Sequence, residues 1–66
     1  MKDIERIEEM MHRLIEIVAK TFNFTTQEAV RAVCMSETMK RIMNNFAAAG
    51  TPEQEGERIV AELRMA

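Results

Sequence analysis

Sixty-six residues with a net charge of −2 make a single domain, and the slight acidic excess argues against a nucleic-acid binder. One cysteine and one histidine exclude an intrachain disulfide and leave no ligand set for a metal cage. A chain this short buries only about 60% of its unfolded surface, so stability has to come from regular helix packing or from oligomerisation.

Strands have no support, because β-branched runs and hairpin dipeptides are missing, and the composition favours an all-α fold of about four helices. The spacing predicts the first over residues 3–21. Asp3 is its candidate cap, and Glu5, Glu8 and Glu9 suit the positive end of the helix dipole. Ile4, Ile7, Met11, Leu14 and Val18 alternate by three and four. Glu9–Arg13 and Glu16–Lys20 are i,i+4 pairs on the other side.

The second helix, over 26–35, opens on a T-x-x-E capping box, Thr25 with Glu28, with Phe24 as a hydrophobic staple. Ala29, Val30, Val33 and Cys34 are read as its apolar face, which makes Cys34 a buried small hydrophobe. No Pro or Gly separates it from the next apolar segment, yet the phase of the stripe changes. At about 100° per residue, Met39, Ile42, Met43 and Phe46 point roughly opposite to Val30 and Val33. One straight helix would send half of these into water, so a break is predicted at Ser36, itself a good cap.

A third helix then covers 37–48 and runs out at Gly50, taken as a left-handed C′ residue. The fourth, over 52–64, starts from Thr51, Pro52 and Gln54, a T-x-x-Q box with proline at the first helical position. Ile59, Val60 and Leu63 form its apolar face, and Gly56 permits close approach at about 1 kcal/mol of helix propensity relative to Ala.

Four constellations bear on chemistry. Cys34 with His12 lacks the electropositive, accessible setting of a catalytic pair. Glu8, His12 and Glu16 share one row, but a single histidine makes a solvated helix face the simpler account. Met35, Met39 and Met43, spaced four apart, suit either an irregular core or an adaptable binding face. The segment 26–45 is testable as a degenerate helix-turn-helix, with Lys40, Arg41, Asn44 and Asn45 on the reading helix. Against it, Val30 falls where alanine is usual, Cys34 where the turn glycine belongs, and Lys40 where a core residue is needed.

Lys20-Thr21-Phe22-Asn23-Phe24, then Thr25-Thr26-Gln27-Glu28-Ala29, Arg41-Ile42-Met43 and Glu57-Arg58-Ile59-Val60, resemble in order and spacing a group of short bacterial helical proteins of unknown function, DUF3791. The resemblance implies a small helical fold and brings no activity with it.

The residues point to no enzyme and no cofactor, but to a helical protein acting through protein–protein contact, most simply as a homodimer. The reason is the apolar arc of the first helix, roughly 200° wide where one core contact needs about 100°. Its candidate interface residues are Ile7, Met10, Met11, Leu14, Ile17 and Val18. The lone cysteine and the charged start MKDIERIEEM lead to the expectation of a cytoplasmic protein. No apolar run approaches the roughly 20 residues that cross a membrane.

Overall fold

A computed structural model describes residues 2–65, with side chains from residue 4 onward. Among these residues there is no strand. Four α-helices follow in order: α1 Lys2–Phe22, α2 Thr26–Met35, α3 Glu37–Asn44 and α4 Pro52–Met65. A 3-10 turn, Phe46–Ala48, stands between the last two.

The 21 residues of α1 are about 31 Å long at 1.5 Å per residue. That is nearly the whole 32 Å long axis of the molecule. Met10, Leu14 and Val18 are buried at its centre. Ile7, Met11, Ile15, Ala19 and Phe22 are half-buried against that core. Whether Asp3 caps the helix lies outside the described side chains. At the other end Asn23 takes a left-handed conformation (φ 56). The N–H of Phe24 then donates to the carbonyl of Ala19 at 3.0 Å, closing a Schellman turn. Asparagine serves there because its side chain tolerates the left-handed region. The reversal stacks Phe24 on Phe22, ring centres 5.2 Å apart.

Both capping boxes form. Glu28 N–H donates to Thr25 Oγ1 (3.2 Å) and Thr25 N–H to Glu28 Oε1 (2.8 Å). Gln54 N–H donates to Thr51 Oγ1 (3.2 Å) and Thr51 N–H to Gln54 Oε1 (3.1 Å). Each box satisfies donors that a helix start otherwise leaves open.

The break falls at Ser36, whose backbone is extended (φ −73, ψ 147). Its hydroxyl closes one helix and opens the next: Oγ donates to the Val33 carbonyl at 2.7 Å and accepts from Met39 N–H at 3.0 Å. The break brings Ala29 and Val33 of α2 and Thr38, Met39 and Ile42 of α3 into one interior. Ser36 is itself buried. Ser36→Ala is therefore expected to cost about 1–2 kcal/mol, read as a lower urea midpoint. A change below about 0.3 kcal/mol would show that the cap is not what holds the break.

Three expectations are corrected. First, α3 stops at Asn44, four residues short of Ala48, and the backbone turns at Asn45 (φ −151, ψ 79). Two adjacent asparagines are poor helix interior, since their side chains compete for the backbone. The alanines beyond them are good helix formers but bring little side chain to bury. Second, Gly50 has no positive φ. Its lack of a side chain matters for another reason: a Cβ there would collide with the Gln54 carboxamide of the capping box. Third, Cys34 is exposed, as is Val30. The buried face of α2 runs through Ala29 and Val33, and one residue onward turns the side chain by about 100°. Val30 and Cys34 thus share a row beside the core face.

α1 packs chiefly against α2 and α4. On the α4 side, a Cβ at the buried Gly56 would lie 2.8 Å from Ile17 Cδ1 and 3.1 Å from Ile17 Cγ2. The missing side chain is what lets the two helices approach. Arg13 reaches Glu53 at 3.3 Å on the same side. Ile15, Ala19 and Phe22 also pack on the core, and α2 is the other helix that α1 meets most. The broad apolar arc of α1 is thus met by two helices of the same chain, and its width alone asks for no second copy. The radius of gyration, 11.0 Å, is what the usual scaling gives for a folded chain of this length, about 11 Å.

Candidate functional site

The chemistry-bearing side chains lie apart. His12, Glu8 and Glu16 are exposed along α1, and Cys34 is exposed on α2. Among the described residues no three His, Cys, Asp or Glu side chains come together as a metal site. An exposed Cys34 should be labelled by a thiol reagent under native conditions at the rate of the denatured chain. Labelling slowed by orders of magnitude would mean that something covers it.

The helix-turn-helix candidates Lys40, Arg41, Asn44 and Asn45 are all exposed, and Lys40 sits 3.7 Å from Glu37 on its own helix. A reading helix presents its N-terminal residues to the groove. Here that end is occupied. Glu62 of α4 accepts from the N–H of Glu37 at 2.8 Å, from the N–H of Thr38 at 3.1 Å and from the Thr38 hydroxyl. Burial pushes the Glu62 carboxyl up. The bonds from Thr38 and Glu37 and the nearby charge of Arg41 outweigh that, and hold it below its ordinary value of 4.5. Nothing in the sequence pattern singles out Glu62, because its partners are 24 and 25 residues away. Glu55 is a second such case. It is buried, accepts from Gly50 N–H at 3.4 Å and lies 3.8 Å from Arg58, tying the loop before α4 to the helix.

The surface offers apolar side chains instead. Met35 is 70% exposed, Met43 61% and Met65 87%, with Ile4 and Val30 also open to solvent. Met39, midway between Met35 and Met43 in sequence, is buried. The Ser36 break separates Met35 from the other two, and Met43 lies one turn beyond Met39, off the buried face of α3. The methionine stripe is therefore part core and part surface.

Three open grooves lie beside these residues. The largest, about 700 Å³, runs between α2 and the C-terminal half of α4 over Phe24, Ala32 and Leu63, with Met35 at its lip. A second, about 580 Å³, lies where Arg6 and Ile7 of α1 approach Met43, Asn45 and Phe46. The third, about 500 Å³, is formed by Ile17, Val60, Ala61 and Met65 between α1 and α4.

Of the candidate interface residues on α1, Leu14 and Val18 are fully buried and Met10 nearly so, all within the chain's own core. Ile7, Met11 and Ile17 remain half-exposed, Ile7 and Ile17 lining the second and third grooves. Among the described residues no helix is long and apolar enough to cross a membrane. Comparison with family models, with characterised proteins and with solved structures finds no match to this chain.

Proposed function

We propose that the chain is a non-enzymatic helical protein that works through protein–protein contact, self-associating as a homodimer in the cytoplasm. The observation that carries this reading is the set of large apolar side chains left in water beside apolar grooves, Met35 and Met65 above all. An apolar side chain held open beside such a groove gives a second protein apolar surface to remove from water. Methionine, long and unbranched, adapts to a partner's shape.

Nucleic-acid binding through Lys40, Arg41, Asn44 and Asn45 is the second reading, favoured by the exposure of all four. The carboxylates of Glu37 and Glu62 at the start of α3 weigh against a phosphate backbone there.

Sedimentation equilibrium from micromolar to millimolar protein tests the proposal, together with melting temperature over the same range. A dimer stabilised by mass action melts higher as concentration rises. A compact monomer with a constant melting temperature would overturn it. Binding to mixed-sequence DNA that weakens steeply with salt would favour the second reading instead.

A further inference from the structure

We infer that two copies join through the α2/α4 groove, with α2 helices antiparallel about a two-fold axis and each Met35 seated in the other copy's groove. This rests on the self-association reading and adds the surface and its register.

Glu28, Arg31, Ala32 and Met35 succeed one another by three, one and three residues, so they form one stripe along α2. All four border the groove, whose less exposed lining is the apolar Phe24, Ala32 and Leu63 together with Ser36 and Glu62 at its α3 end. The stripe therefore carries an apolar knob, an apolar hollow and one charge of each sign on a single face. A face of that kind is complementary to itself under a two-fold axis, where every contact occurs twice. The charges set the register. If the antiparallel helices are placed so that Arg31 stands level with the partner's Glu28, the end of α2 that carries Met35 lies beside the start of the partner's α2, where Phe24 lines the groove. The electrostatic match and the knob-in-hollow match thus come from one alignment. Glu28 remains available, because its capping bond to Thr25 N–H uses Oε1 alone.

The α1/α4 groove offers no equivalent. Its rim also carries both signs, in Glu57 and Arg64. Setting Glu57 level with the partner's Arg64 brings Met65 level with the partner's Gly56. That position is buried and already covered by Ile17. The knob there meets no hollow.

Sedimentation equilibrium on the full chain decides between these faces. Met35 is 70% exposed, so Met35→Glu should leave the helical content of the dilute monomer unchanged. It should weaken dimerisation by more than about tenfold, as loss of a buried anchor does. Met65→Glu, on the other face, should dimerise like the unaltered chain. Arg31→Glu and Glu28→Lys should each self-associate more weakly, and an equimolar mixture of the two should form a heterodimer by native mass spectrometry. If the unaltered chain dimerises while Met35→Glu does so equally well, this interface is wrong and self-association uses another face. If Met65→Glu rather than Met35→Glu dissociates the dimer, the α1/α4 groove is the contact. An unaltered chain that stays monomeric throughout overturns the interface and the self-association reading together.

Discussion

Leu14→Ala should leave most of the chain unfolded at room temperature and low concentration. Leu14 is fully buried at the centre of α1, where the core contributed by α2, α3 and α4 closes over it. Truncating such a side chain costs about 3–5 kcal/mol, counting both lost transfer energy and the cavity left behind. A single core in a chain of this length rarely holds more than about 3–5 kcal/mol in all, so one substitution removes most of the margin. Ile4→Ala is the control. Ile4 is on the same helix but 55% exposed, and its loss should change stability by less than about 1 kcal/mol. Urea titrations followed by far-UV circular dichroism compare the two. Equal midpoints for both variants would mean that the core is not organised around Leu14. Raising the concentration of Leu14→Ala should restore helix if dimerisation stabilises the fold, since association draws on the folded form only.

Glu62→Ala should lower stability by about 1–3 kcal/mol, a large effect for one partly exposed side chain. Its carboxylate, supplied by α4, takes two N–H groups at the start of α3 that the Ser36 cap leaves open, and Thr38, which it bonds through both backbone and hydroxyl, is almost completely buried. Without Glu62 the Thr38 hydroxyl loses its hydrogen-bond partner where water has little access. The pH dependence comes from the direction of the shift. The folded carboxyl titrates below its ordinary value of 4.5, so between the two values the unfolded chain binds more protons than the folded one. The stabilisation from Glu62 is therefore complete above about 4.5 and is lost as pH falls through the lowered value. Other carboxylates titrate in the same window. The informative quantity is thus the difference in stability between the unaltered chain and Glu62→Gln, which lacks the titrating group. That difference should be largest near neutral pH and shrink as pH drops below 4.5. A difference independent of pH would show that the cap does not depend on the charge.

Much of the local structure is determined by residues within four positions of each other, and it is legible for that reason. Thr25 with Glu28 and Thr51 with Gln54 close their own boxes. The phase change between Val33 and Met39 predicts the break at Ser36 before any packing is known. Gly56 marks a close helix contact, and the contact exists, against Ile17. These features depend on helix periodicity and on the donors a helix start leaves open, both of which are written along the chain.

Tertiary structure decided the rest. Periodicity gives the phase of an apolar face on its own helix, but not what that face meets. The sequence pattern of α2 could not tell that Ala29 and Val33 point inward while Val30 and Cys34, one residue on, look outward. Nor could it tell that α3 would stop at Asn44 despite three alanines ahead, or that Gly50 would adopt an ordinary backbone conformation and matter through its closeness to Gln54. The breadth of the apolar arc on α1 is a true property of the sequence. That α4 comes against Ile17 and Arg13, while the rest of the arc packs on the shared core, is a property of the packed chain. Glu62 makes the same point from the polar side. A carboxylate that caps a helix 24 residues away has no local signal, because the partner it satisfies comes within reach only after the chain has folded.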